Sequence, residues 1–311
     1  MNTYFHSVRL DEEKCMGCTN CIKRCPTQAI RVRSGKAHII SERCIDCGEC
    51  IRVCPHHAKY SHRDSMNRII EFKYRVALPA PSLYGQFNNL DDIGYVITAL
   101  KMLGFDEVFE VARGAELVSD ATRKYIAEHD IPKPVISSAC PAVCRLIRVC
   151  FPHLVPHVLP LNSPMETAAL IARSEAQAKT GLNSSDIGIF FITPCPAKIT
   201  AVKQPICLPE SNVDAVIAMK DIYPVLLKQM NHLGAPEDAC KSGLMGVNWA
   251  SSGGESAALL KDKYLAADGI ENVIKVLEEI EDEKLDRLDF VELNACSGGC
   301  VGGSLTAENP Y

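Results

Sequence analysis

Sixteen cysteines in 311 residues are the feature most able to do chemistry. Cys15, Cys18, Cys21 and Cys25, followed by Pro26, form C-x2-C-x2-C-x3-C-P. Cys44, Cys47, Cys50 and Cys54, followed by Pro55, repeat the string 29 residues later. Three thiolates at this spacing wrap one face of an iron–sulfur cubane, while the fourth projects towards the partner cluster. One cluster is therefore expected on Cys15, Cys18, Cys21 and Cys54, and the other on Cys44, Cys47, Cys50 and Cys25. Paired C-x2-C strings also suit zinc, but zinc has no use for a third cysteine two residues further on or for the trailing Cys-Pro. Two clusters side by side carry electrons and break no bonds, so the reacting centre must lie elsewhere.

Three further cysteines stand where such a centre would sit. PVISSAC (134–140), IGIFFITPC (187–195) and DFVELNAC (289–296) each read as a buried strand running into a loop that ends on Cys140, Cys195 or Cys296. In open α/β sheets ligands collect at the C-terminal strand edge, and Cys300 follows as a fourth thiol one turn after Cys296. Cys144, Cys150, Cys207 and Cys240 fit none of these strings and read as core or surface thiols, with Cys144 one helical turn beyond Cys140.

The elements that must position these residues follow an α/β pattern. VALPAPS (76–82), DEVFEVA (106–112) and VDAVIAM (213–219) read as strands. Helices are expected over 90–103, 114–129, 163–181 and 221–234, with two more in 254–285. The helix over 163–181 has a capping Ser163, a proline in its first turn and Gly181 at its end. Trp249, in the Gly/Ser-rich GVNWASSGG, is a candidate cover for the site. Residues 61–75 read as a linker, giving an α+β ferredoxin-like domain over 1–65 and a two-lobed α/β domain over 66–311. A hydrophobic content of 47% excludes disorder, and a net charge of −5 leaves no footprint for nucleic acid. No run of 18 apolar residues suggests a membrane span, and the N-terminus lacks a signal-peptide core, so the chain is expected in the cytoplasm. A reducing compartment disfavours a disulfide scaffold and leaves metal ligation as the use for the cysteines.

Residues 5–62 resemble the bacterial two-cluster ferredoxin. SSACPAV (137–143), TPCPAK (193–198) and ELNACSGGCVGG (292–303) resemble, in order and chemistry, the three active-site signatures of [FeFe]-hydrogenases, and the likeness extends over about residues 1–311. Ala80-Pro81-Ser82 and Ser163-Pro164 match two supporting loops. The resemblance implies three [4Fe–4S] clusters, the third held by Cys140, Cys195, Cys296 and Cys300. Cys300 would bridge to a two-iron unit carrying CO, cyanide and an azadithiolate. Lys198 would donate to one cyanide, and Pro81, Ser82, Ser163, Pro164, Ala139, Thr193, Pro194 and Asn294 would surround the unit. Glycines 298, 299, 302 and 303 would let the backbone approach it. The implied partners are H2 and protons, a ferredoxin-type or other redox partner and maturation proteins, with a homodimer among the expected states.

Departures from the family pattern bear on rate. Ala139 stands where highly active members carry a proton-donating cysteine. Ala121 and Thr122 align where a relay glutamate is usual. Thr193 and Asn294 replace methionines, Val143 a tryptophan and Met165 a glutamine. Loss of a positioned acid typically costs ~10²–10⁴ in rate, so the expected protein is a slow hydrogenase resembling the sensory branch. The alternative is a non-catalytic iron–sulfur protein, either a hydrogenase-like cluster-assembly factor or an electron-transfer adaptor. Relatives usually continue past GGSLTAENPY, so a further cluster or signalling domain downstream stays open.

Overall fold

The computed structural model describes residues 4–206, 208–237 and 240–308. The doubled strings fold as two copies of one small unit. β1 (Val8–Leu10), α1 (Asn20–Lys23) and β2 (Ile30–Arg33) carry the first; β3 (Lys36–Ile39), α2 (Glu49–Arg52) and β4 (Lys59–Ser61) carry the second. β1 pairs antiparallel with β4, and β2 with β3. Each one-turn helix holds the third cysteine of its string and is entered through a left-handed residue, Thr19 (φ 68°) or Gly48 (φ 85°). Cys15 and Cys21 form a small buried cluster with Ile30, Ala37 and Ala58, against which Leu10, Ile22 and Val32 pack partly buried. So small an apolar core leaves the unit dependent on whatever its thiols bind.

The larger part of the chain is α/β. In chain order it comprises β5 (Tyr74–Pro79), α3 (Gly94–Met102), β6 (Glu107–Val108), α4 (Val111–Glu128), β7 (Val135–Ile136), α5 (Pro141–Cys150) and α6 (Pro164–Thr180). There follow β8 (Ile187–Thr193), α7 (Pro196–Lys203), β9 (Ala215–Ala218), α8 (Met219–Met230), α9 (Leu244–Asn248), α10 (Gly254–Ala258), β10 (Tyr264–Asp268), α11 (Ile270–Glu281) and β11 (Phe290–Asn294). Two parallel sheets result, one ordered β6-β5-β8-β9 and the other β10-β11-β7. β8 is buried along its whole length, as a continuous apolar run covered on both faces should be. α6 keeps its expected ends: the Ser163 hydroxyl accepts from Glu166 N at 3.4 Å, and Gly181 closes the helix at φ 71°. α4 crosses α6 so closely that a Cβ on Gly114 would stand 2.6 Å from the Pro164 carbonyl oxygen.

Two expectations need correction. DEVFEVA pairs with β5 only at Glu107 and Val108. The chain then turns into α4 at Val111, and the Glu110 carboxylate just before it accepts from Lys241 N and Ser242 Oγ. The span 254–285 holds the two expected helices, α10 and α11, with β10 between them, held by its register with β11. PVISSAC contributes only Val135 and Ile136 to a ladder. Cys207 lies outside the described residues.

The cysteine-rich unit is tied to the sheets. Ser7 N donates to Thr200 Oγ1 (3.1 Å), Ser7 Oγ to the Pro196 carbonyl (2.7 Å) and Arg52 Nη2 to the Gly302 carbonyl (2.8 Å). Among the described residues no helix is long and apolar enough to cross a membrane.

Candidate active site

Twelve cysteines converge in three groups of four. Cys15, Cys18, Cys21 and Cys54 line a cavity of about 340 Å³, and Cys25, Cys44, Cys47 and Cys50 one of about 350 Å³. Cys140, Cys195, Cys296 and Cys300 line a third of about 360 Å³. Four thiols lining one space are the donor set of an iron–sulfur cubane. Cys47 lines both the second and the third, so the two share a wall.

Local structure explains the third group. Cys140 and Cys195 are each the extended residue that precedes a helix with proline at its first position, so both thiols stand at a strand-to-helix turn. Cys296 follows β11, and Cys300 opens a short 3₁₀ turn after the left-handed Gly298 and Gly299. Gly299 and Gly303 are required by protein packing. A Cβ on Gly299 would meet Ser252 N at 2.7 Å, and one on Gly303 the Pro194 carbonyl at 2.4 Å. Burial pushes the Cys195 thiol up to about 12, with the neighbouring Cys140 adding to it, and burial also raises Cys296 and Cys300. Thiols so disfavoured as isolated anions are suited to an iron–sulfur core that supplies the positive charge.

A fourth space, a cleft of about 560 Å³, opens beside Cys300. Lys198 lines both this cleft and the third cysteine cavity. Burial would lower its ammonium, but the thiols of Cys300, Cys195 and Cys140 outweigh that and hold it above the usual lysine range. The hydrogen bond resolved for its Nζ is to the Ala139 carbonyl, at 3.3 Å. Opposite are two buried carboxyls. Ser137 Oγ donates to Glu255 Oε2 at 2.6 Å, while Glu292 accepts from Gly253 N, Ser256 N and Asn294 Nδ2 at 2.8–2.9 Å. Burial first, and the nearby Glu292 second, push Glu255 up to about 8; burial also raises Glu292. A carboxyl that holds its proton near neutrality in a cleft is a candidate acid and base.

Comparison with known proteins matches residues 73–264 and 250–304 to the iron-only hydrogenase large subunit, C-terminal domain. The chain belongs to that hydrogenase family. Residues 7–55 match the 4Fe-4S dicluster domain. The hydrogenase-family chain is 26% identical over 364 residues to the periplasmic [Fe] hydrogenase large subunit of Nitratidesulfovibrio vulgaris, covering 96% of this chain and 86% of the relative. It is 23% identical to iron hydrogenase 1 of Clostridium pasteurianum, covering 98% of this chain and 66% of the relative. A probable cytosolic Fe-S cluster assembly factor of Caenorhabditis elegans is 22% identical over 55% of this chain and 48% of its own length. The fold is shared with an [FeFe]-hydrogenase structure from Chlamydomonas reinhardtii at 19% identity and TM-score 0.57, covering 76% of this chain and 80% of that one.

Of the expected site residues, Pro81, Ser82, Ala139, Pro164, Pro194, Lys198, Asn294 and Cys300 line the cleft, as does Trp249, whose Nε1 donates to Ser119 Oγ at 3.0 Å. Ser163 and Thr193 stand just outside its lining. Ser163 caps α6, and Thr193 Oγ1 accepts from Cys195 N at 3.1 Å. Cys144 Sγ donates to the Ser138 carbonyl at 3.4 Å, and Cys150 and Cys240 are exposed. Glu255 and Glu292 escaped sequence reasoning. The signal for Glu292 was a charge inside the otherwise apolar strand FVELN; Glu255 had none.

Proposed function

We propose that this chain is a slow [FeFe]-hydrogenase, catalysing 2H⁺ + 2e⁻ ⇌ H2 at a rate suited to sensing H2 rather than to metabolism. The observation that carries this is the convergence of Cys300, Lys198 and a proton-holding carboxyl on one cleft beside a four-cysteine cavity. Cys15, Cys18, Cys21 and Cys54 would hold one cubane; Cys44, Cys47, Cys50 and Cys25 the next; and Cys140, Cys195, Cys296 and Cys300 the third. Cys300 would also anchor a two-iron group bearing CO, cyanide and azadithiolate, which when bound supplies the iron site for H2 chemistry. The donor set fits that group, since the Lys198 ammonium lines the cleft with a carbonyl at 3.3 Å and, among the described residues, no carboxylate ion pair. Such a cation suits an anionic ligand, and Pro81 and Ser82 close the same wall.

The chain's own residues account for a low rate. Ala139 presents a methyl where a proton carrier would have to stand. Ser137 Oγ accepts from Ala139 N at 3.1 Å and donates to Glu255 Oε2 at 2.6 Å, so a proton-capable pair adjoins Ala139. Glu255 therefore holds the proton, Ser137 orients it, and the apolar Val111, Ala115, Met165 and Phe191 limit water in the cleft. A redox partner would exchange electrons at the first cluster, and maturation proteins would supply the two-iron group.

Likeness to the assembly factor favours a second, non-catalytic reading, in which the cleft stays without the two-iron group. After anaerobic reconstitution and loading with a synthetic two-iron cofactor, infrared bands of bound CO and cyanide should appear, with iron rising from about 12 to about 14 per chain. A loaded preparation with no such bands and about 12 iron would reject the hydrogenase reading in favour of the assembly one.

A further inference from the structure

The internal duplication contains its own comparison. An offset of 29 residues superposes the two cysteine strings and maps Lys59 onto Ile30. Both residues are 3% exposed, and each lines its own cavity: Lys59 that of Cys15, Cys18, Cys21 and Cys54, and Ile30 that of Cys25, Cys44, Cys47 and Cys50. Lys59 Nζ is buried and has no hydrogen-bond partner among the described residues. The same offset maps Gly17 onto Asp46, but that carboxylate is met locally, by Val8 N at 3.1 Å and by His6 Nδ1 at 2.8 Å. Among the described residues of the two copies, the unmatched charge that is both buried and without a hydrogen-bond partner is therefore the lysine.

A buried ammonium without a protein acceptor is costly unless something of opposite sign faces it. Resting on the cubane assignment above, we propose that Lys59 is the counter-charge to the cluster of Cys15, Cys18, Cys21 and Cys54, and makes that cluster the electron reservoir of the pair. Its reduction takes one electron from an external one-electron carrier, [4Fe–4S]²⁺ + e⁻ → [4Fe–4S]⁺, with no bond or proton changing place. The cluster becomes one unit more negative, and a fixed cation in a low-dielectric wall favours that state. Its partner is walled at the equivalent position by Ile30 and feels that cation only from beyond its lining, at Cys50, so it is the harder of the two to reduce. Cys18 is exposed whereas Cys47 borders the third cavity, so the electron rests at the outer end and steps inward against a gradient. Lys59 is a positioning residue: it touches neither substrate nor the two-iron group.

The test is a redox titration of the full chain, anaerobically reconstituted without the two-iron group and read by electron paramagnetic resonance. Lys59→Met should reduce the equilibrium constant for reduction of one N-terminal cluster at least tenfold, a midpoint about 59 mV lower for one electron, and move the other less. Lys59→Arg, which keeps the charge, should stay near the parent, and Lys59→Gln serves as a second neutral variant if the methionine chain does not assemble. Unmoved midpoints with intact clusters would overturn this inference alone, as would a fall in Lys59→Arg equal to that in Lys59→Met. A parent chain with too little iron for two N-terminal cubanes would overturn the cubane assignment along with it.

Discussion

Replacing Glu255 by glutamine removes the one carboxyl that burial pushes up to about 8, and the structure fixes what should follow. The rise from its ordinary 4.5 to about 8 corresponds to roughly 5 kcal/mol favouring the protonated form in the folded protein. At pH 7, one unit below, about nine in ten molecules carry the proton. The pH dependence of stability has a definite sign. Below pH 4.5 folded and unfolded chains are both protonated, and Glu255 contributes no slope. Between 4.5 and about 8 the unfolded chain loses the proton while the folded chain keeps it, so stability falls as pH rises, and above 8 the loss is complete. Glu255→Gln, which keeps an acceptor for Ser137 Oγ, should lack this decline and be the more stable protein at pH 8.5, by up to about 5 kcal/mol. Urea unfolding of the cluster-reconstituted chain at pH 5.5, 7 and 8.5 reads this directly. Infrared difference spectra should show a protonated-carboxyl band that disappears towards pH 9 and is missing in the variant. In the loaded enzyme, turnover should fall by ~10²–10⁴. Parallel pH profiles for parent and variant, with no carboxyl band at pH 6, would refute both the raised pKa and the assignment of the proton to Glu255.

Two other outcomes are expected. Lys198→Met should keep the iron of the three cubanes but abolish the CO and cyanide bands after loading, because the cation facing the cleft is lost. Ala139→Cys should raise H2 turnover by about 10²-fold if proton delivery limits the rate; hydrogen evolution from a reduced dye measures it, and an unchanged rate would assign the slow step elsewhere.

The chemistry was legible in the sequence wherever ligand spacing is local. The two C-x2-C-x2-C-x3-C-P strings group across the copies as expected, Cys54 with the first and Cys25 with the second, because the fourth cysteine follows a one-turn helix that points it to the neighbouring cavity. α6 and β8 were legible because a capping serine, a terminal glycine and seven buried residues in a row carry their own periodicity. β10 was not. YLAAD is alanine-rich enough for a helix, and it becomes an edge strand only through pairing with residues 290–294. Glu255 and Glu292 were hidden for the same reason. Each is an ordinary acidic residue in its own segment, and only the approach of α10 to β11 makes them a pair.

The shared wall at Cys47 affects how this molecule can be cut. A truncation near residue 65 would strip one side from the cavity of Cys140, Cys195, Cys296 and Cys300, and with it the Arg52 clasp on Gly302. The remaining fragment would be a vessel with a missing pane, open to water on that side, rather than a smaller protein relieved of its wiring.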